Sequence, residues 1–391
     1  MMSMKILHTS DWHIGRTFHT HPTLDHLGTV LGALVEIVRD RQIDVVVVAG
    51  DVFDHAMPSK ESYAVLTAVL RELKAAGAAV VLTSGNHDSA ARLGFQSEWA
   101  SLAGIHVVTS YDQYLHPITL TDAHGPVNFY GIPYLEPVLV RHLHPGVTLK
   151  THEQVLGFAM DQIRVDMAAR PGRSVVLSHC FAAGGVALSE ASEVERDITV
   201  GGLDVVPLGV FDGPDYVALG HIHGRARLSE RVRYSGAPLH YSFSEAGKPR
   251  GGWLVTLDAD GLGSVDWVDL PVPRRLSVLE GPIDELLHDE RYGVREHDWV
   301  KAVLTDQVRP LDGMRTLQTR FPHCVTLEHR PAVTVETDGA TYAERIREAT
   351  GDPEIVAGFL AFVRNGAGPT EFESALVAEL LTEQGITEVD S

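Results

Sequence analysis

Five short segments, scattered over more than two hundred residues, carry side chains of the kinds that bind metals. They are Asp11 and His13, Asp51 within Gly50–Asp54, Asn86 within Gly85–Asp88, His179 alone, and His221 with His223. Asp11, His13, Asp51, Asn86, His179, His221 and His223 together offer enough oxygen and nitrogen donors for two cations sharing one ligand. A carboxylate such as Asp51 can bridge two ions about 3.5–4 Å apart, the arrangement that drives hydrolysis of phosphate esters. Asn86 adds a neutral carbonyl oxygen where a further anion would over-neutralise the site. Each piece also has an ordinary reading. Gly50-Asp51 and Gly85-Asn86 are common turn pairs, and most of the 21 histidines must be structural, His8, His106 and His240 among them. The set carries the signal, and Gly85–Asp88 is its most specific member.

The elements that must position these side chains alternate. Short β-branched runs at Lys5–Thr9, Ile43–Ala49, Ala79–Thr83, Ser174–Ser178 and Asp215–Leu219 read as strands, several apolar enough to be covered on both faces. Further strands are expected at Arg233–Ser235 and Trp253–Leu257. Helices are expected over Leu24–Asp40 and after Ser59, which caps a run carrying Leu66, Leu70 and Leu73 that stops at Gly77. Alternation of this kind builds a layered α/β domain. Four of the five segments directly follow an apolar strand and Asp11 begins two residues after one, at the carboxyl ends where sites in α/β sheets collect. Where the chain stays extended, Asp11 with His13 and His221 with His223 project to one face.

Two prolines in Leu270–Pro273 break the pattern. The expected organisation is a catalytic domain over 1–272, a small α/β cap over 273–338 and a helical segment over 339–391. The cap reads β-α-β-α-β, with strands at Leu276–Glu280, Trp299–Thr305 and Cys324–Glu328 and helices at Ile283–His288 and Leu311–Phe321. The last segment holds 3 basic against 10 acidic residues; Asp352-Pro353 starts one helix and Thr370 with Glu373 forms a capping box for a second. The whole chain carries a formal charge of -20, which argues against non-specific coating of DNA but leaves room for a local basic groove. Cys180 and Cys324 fit no zinc pattern and read as buried free thiols of a reducing compartment. No signal-peptide core or membrane-length apolar run is present, so a cytoplasmic protein is expected.

In their order, D-x-H, G-D-x-x-D, G-N-H-D, a lone strand-end histidine and G-H-x-H resemble the signature of the calcineurin-like metallophosphoesterases. Within that superfamily, Leu7–Gly15, Ala49–Asp54, Ser84–Ser89, Tyr216–His223 and Tyr234–Glu245 resemble the SbcD branch of DNA nuclease subunits. The likeness covers essentially the whole chain, cap and acidic tail included. It implies a layered β-sandwich flanked by helices. Asp11, His13, Asp51 and His223 would hold one ion; Asp51, Asn86, His179 and His221 would hold the other. Manganese suits the mixed donors, with magnesium, iron and zinc left open. The resemblance gives His87 a role on the reacting phosphodiester, with Asp88 a candidate to orient it. Archaeal relatives carry a histidine where this chain has Asp54, followed by His55, and neither enters the expected site. The chain has no G-x-x-x-x-G-K-[ST] nucleotide loop. The resemblance supplies an SbcC-type coiled-coil ATPase as partner, DNA ends and hairpins as substrate, and a homodimer. The tail helices are candidates for docking on the ATPase through Phe359, Phe372, Leu376 and Leu380. The alternatives are a small-molecule phosphodiesterase or phosphatase of the same superfamily, and a non-catalytic scaffold.

Overall fold

The computed structural model describes residues 3–183, 205–331, 349, 351–364, 366 and 368–383. These divide into two compact units, Met1–Arg275 and Leu276–Ser391. The expected boundary at 338/339 lies outside the described residues.

In the first unit, one six-stranded sheet runs β12-β11-β1-β2-β3-β4. Its strands are β1 (Met4–Thr9), β2 (Val45–Ala49), β3 (Ala79–Thr83), β4 (Ile105–Val108), β11 (Gly251–Asp258) and β12 (Gly261–Asp269). The first four are parallel; β11 and β12 complete the edge antiparallel. A second sheet runs β9-β10-β8-β7-β6-β5. It comprises β5 (Ile118–Asp122), β6 (Gly125–Gly131), β7 (Arg173–His179), β8 (Tyr216–Gly220), β9 (Ala226–Arg227) and β10 (Val232–Tyr234). Here β6, β7, β8 and β10 are parallel, with antiparallel strands at both edges.

Strand alternation explains why these sheets stack. In β2, Val45 and Val47 face the second sheet's Val127, Phe129, Val175 and Leu177, while Val46 and Val48 face helices. In β8, Tyr216 and Ala218 join the inter-sheet core, and Val217 and Leu219 turn to the opposite side. A strand buried on both faces must be apolar throughout, which is why the Ile43–Ala49 run has no polar partner beyond Asp44. Each such side chain contributes about 1.5–3 kcal/mol of transfer free energy.

Helices α1 (Leu24–Arg41) and α2 (Lys60–Ala75) cover the first sheet, burying Leu27, Leu31, Leu34 and Val38 of one and Leu66, Val69 and Leu73 of the other. Ser59 caps α2, its Oγ accepting from Ser62 N–H at 3.2 Å. Helix α3 (His152–Ala169) covers the second sheet with Val155, Ala159, Met160 and Ile163. The order is helices, sheet, sheet, helices: the layered α/β sandwich the sequence predicts. Strands β4, β9 and β12, the β5–β6 hairpin and α3 are additions to the sequence reading.

In the second unit, β13 (Leu276–Gly281), β14 (Trp299–Leu304) and β15 (Cys324–His329) form a parallel three-stranded sheet. Helices α4 (Ile283–His288) and α5 (Gly313–Gln318) pack on it through Leu286 and Leu317. Helices α6 (Asp352–Val363) and α7 (Glu371–Glu383) follow. The capping box forms as read: Glu373 N–H donates to Thr370 Oγ1 at 3.2 Å, and Thr370 N–H to Glu373 Oε2 at 2.8 Å. Both cysteines are free and buried. Among the described residues no helix is long and apolar enough to cross a membrane.

Candidate metal centre

All seven predicted ligands meet at one end of the sandwich, in loops leaving β1, β2 and β3 of one sheet and at the ends of β7 and β8 of the other. Asp51 lies in the middle. Its Oδ2 is 3.6 Å from His13 Nε2 and 3.4 Å from His179 Nε2. On one side, His13 Nε2 and His223 Nε2 face each other at 3.1 Å beside Asp11. On the other, Asn86 Oδ1 lies 2.9 Å from His179 Nε2 and 3.3 Å from His221 Nδ1.

The means of convergence differs from the extended pairing expected at Asp11–His13 and His221–His223. Asp11, His13, Asp51 and His221 have φ of 52°, 45°, 48° and 106°. Left-handed backbone at residues with a Cβ is costly and clusters at functional sites. Backbone bonds hold it here: Asp11 N–H donates to Gly50 O at 3.1 Å, His13 N–H to Asp51 O at 2.9 Å, and His221 N–H to Asp11 Oδ1 at 2.9 Å. Trp12, wholly buried, anchors the first loop in the helix-side core. Two motif glycines leave the room. A Cβ on Gly85 would lie 2.1 Å from Asp51 Oδ1, and one on Gly220 would lie 1.8 Å from Ala49 O.

Second partners set the imidazole tautomers. His179 Nδ1–H donates to Ala49 O at 3.0 Å, which turns the Nε2 lone pair toward Asp51 and Asn86. His13 Nδ1 lies 3.1 Å from Asp54 Oδ1 and turns its Nε2 inward in the same way. His223 Nδ1 lies 3.5 Å from the buried Glu245, whose other oxygen takes Arg250 Nη2 at 2.8 Å. His87 Nδ1–H donates to the Asp54 carbonyl at 2.8 Å, leaving a half-buried ring edge-on to His13.

Asp54 and Glu245 are therefore part of the site, although the sequence reading left Asp54 out and gave Glu245 no role. The signal for Asp54 was the second carboxylate of G-D-x-x-D, three residues after a ligand. Asp88 needs the opposite correction: it does not orient His87. Its carboxylate instead accepts from the N–H groups of Val52, Phe53 and Gly85 at 2.8–3.0 Å, tying the loop after β3 to the end of β2.

The electrostatics call for cations. Burial raises the Asp11 carboxyl to about 6 against the opposing charge of His179 and His223. Burial also disfavours ionised Asp51, yet the charge and hydrogen bond of His179, with His13, hold it well below the usual carboxylate range. His179 rises to about 9 despite burial because Asp51 and Asp11 face it. Two buried carboxylates thus draw a proton onto His179, whereas burial lowers His13 to about 4 and His221 to about 3 and leaves their lone pairs free. Carboxylate, amide and imidazole donors without a thiolate, converging around one central carboxylate, fit divalent ions.

The profile of the family described as Calcineurin-like phosphoesterase matches residues 4–225. Among solved structures, a Thermus thermophilus protein shares 13% identity over 68% of this chain and 99% of its own, with a TM-score of 0.39. A dimetal phosphatase from Danio rerio shares 16% over 69% and 99%, TM-score 0.38. A purple acid phosphatase from yellow lupin (Lupinus luteus) seeds shares 12% over 65% and 49%, TM-score 0.36. Likeness at these scores adds nothing to the family match. With more than half of its length matched, and carboxylates and imidazoles gathered within it, the chain belongs to the calcineurin-like phosphoesterases, hydrolases of phosphoester bonds with dinuclear metal sites.

Proposed function

We propose that this chain is the manganese-dependent DNA nuclease subunit of an SbcCD-type repair and recombination complex. It would act as an exonuclease on double-stranded ends and an endonuclease on hairpins or single strands. The observation that carries the reading is Tyr234–Glu245, a segment beyond the family match. Its wording resembles SbcD, and its Glu245 backs the predicted ligand His223.

Asp11, His13, Asp51 and His223 would hold one ion, and Asp51, Asn86, His179 and His221 the other. Bound there, the pair supplies Lewis-acid activation of water and neutralises charge on the phosphoryl oxygens. The protein's own groups do the rest. Ala49 O and Asp54 take the Nδ1 protons of His179 and His13, so that the lone pairs of the neutral rings lie on the inward Nε2 atoms. His87, held through Nδ1–H, would present Nε2 to the leaving oxygen and, as the doubly protonated imidazolium, give its Nε2 proton to that oxygen and become the neutral ring.

The chain would work with an SbcC-type coiled-coil ATPase, through tail side chains such as Phe372, 76% exposed. Exposed Phe95, Trp99 and Leu102 support a homodimer formed by nuclease-domain helices. A small-phosphoester hydrolase is the second reading, favoured by the formal charge of -20. Turnover with manganese on linear duplex DNA, hairpin DNA and bis(4-nitrophenyl) phosphate separates the two. Cleavage of the small diester alone would overturn the nuclease reading.

A further inference from the structure

Asp54 is one carboxylate ringed by basic groups. His13 Nδ1 lies 3.1 Å away, His55 Nε2 3.1 Å, Arg16 Nη1 3.4 Å and His87 Nδ1 4.0 Å. The three imidazoles carry charge only when protonated, whereas the Arg16 guanidinium stays charged at any working pH.

The Arg16 side chain is held in place. Its guanidinium carbon lies 4.8 Å from the centroid of the Tyr241 ring, and the Tyr241 hydroxyl donates to Trp12 O at 2.9 Å. Only Nη1 meets Asp54; Nε and Nη2 make no hydrogen bond to the described residues. Nη1 also sits 3.5 Å from His13 Nδ1, so the guanidinium stands one imidazole's width behind the ligand cluster. The side chain is 19% exposed. Support of Asp54 needs one N–H and no stacking. A rigid fork with unused donors beside a phosphoryl site is instead the arrangement that grips a phosphate bidentately.

We propose that Arg16 anchors a phosphate neighbouring the one being cleaved, so that the site prefers a chain of phosphodiesters to an isolated phosphoester. The inference rests on the phosphodiesterase reading above and deepens it by naming the feature that selects a polynucleotide.

The test uses the full chain with manganese, as wild type, Arg16→Ala and Arg16→Lys. Steady-state kinetics are measured on a single-stranded oligonucleotide and on bis(4-nitrophenyl) phosphate, which has no second phosphate. Manganese content and oligonucleotide affinity by fluorescence anisotropy, without added metal, are measured alongside. Arg16→Ala should weaken oligonucleotide binding and raise its KM about 10- to 100-fold, the scale of a lost charge-assisted pair. Its kinetics on the small diester and its metal content should stay near wild type. Arg16→Lys keeps the charge on Asp54 but not the fork, and should show the same selective loss to a smaller extent. Equal losses on both substrates, reduced manganese, or unchanged oligonucleotide binding in both variants would make Arg16 a support for Asp54 and overturn the proposal. Wild-type cleavage of the small diester without any cleavage of DNA would sink the nuclease reading instead. The anisotropy comparison would then still judge Arg16.

Discussion

The proton on His13 Nδ1 and the proton on His87 Nδ1 both end on Asp54, one on its carboxylate and one on its carbonyl. A single residue thereby orients a predicted ligand and the predicted acid together. Burial works against its ionisation, but the hydrogen bond from His13 and the charge of Arg16 hold its carboxyl below the usual range. Asp54→Ala frees the His13 ring to rotate and to change tautomer. Manganese affinity, followed by calorimetric titration, should fall about 10- to 100-fold, the usual effect of removing a group that orients a metal-binding histidine. His87→Ala should behave differently. Metal content and DNA affinity should remain, while turnover falls about 10²–10⁴-fold, the scale of a positioned general acid. Wild-type turnover in that variant removes His87 from the chemistry, and loss of metal makes it a ligand. Of these side chains, the ligands were legible because each ends a strand in a motif. Asp54 was not, because its partners come from three separate loops.

The two sheets press together over an apolar interior that encloses the polar pair His8 and Tyr216. His8 on β1 accepts from the Tyr216 hydroxyl of β8 through Nδ1 at 2.9 Å and donates from Nε2 to Leu219 O at 3.1 Å. Acceptance at Nδ1 requires the neutral ring, and burial, opposed by the Leu219 bond, lowers its pKa from 6.5 to about 3. The unfolded chain takes up this proton below its ordinary value, whereas the folded protein refuses it until about 3. His8 therefore contributes full stability above 6.5 and loses that contribution as pH falls toward 3. In denaturant titrations of the metal-free protein, wild type should lose up to about 1.4 kcal/mol per pH unit more than His8→Gln between about pH 6 and pH 4. Parallel pH profiles would show that His8 is protonated in the folded state. The strands around this pair followed from apolar runs alone. The left-handed turns beyond them did not, because local periodicity says nothing of loops held by contacts across the sheet.

The family match ends at residue 225, and the chain continues through β10, β11 and β12 into a second compact unit with its own core. That core of Leu279, Val300, Leu304, Leu317 and Phe321 owes nothing to the metal loops. Helices α6 and α7 leave large apolar side chains exposed, Phe359 at 46%, Phe362 at 49% and Phe372 at 76%, while Arg364 and Glu373 pair between them at 2.7 Å. Deleting residues 351–391 should leave manganese-dependent hydrolysis of a small diester within a few-fold of wild type. The same deletion should abolish co-purification with the coiled-coil ATPase. Complex formation that survives the truncation would retire the tail as a docking element.

From the sequence alone came the layered α/β class, the strand ends that carry the site, the identity of the seven candidate ligands and the two helices of the tail, the second with its capping box. Each depends on residue type and short-range spacing, through apolar runs, alternation and caps within a few positions. Tertiary structure alone decided that His13 faces His223 across 210 positions. It also decided that Asp54 and Glu245 stand behind the histidines, and that Asp88 serves the backbone and not His87. Those pairings depend on sheet order, register and positive-φ turns, which bring distant loops together at distances that no local pattern encodes.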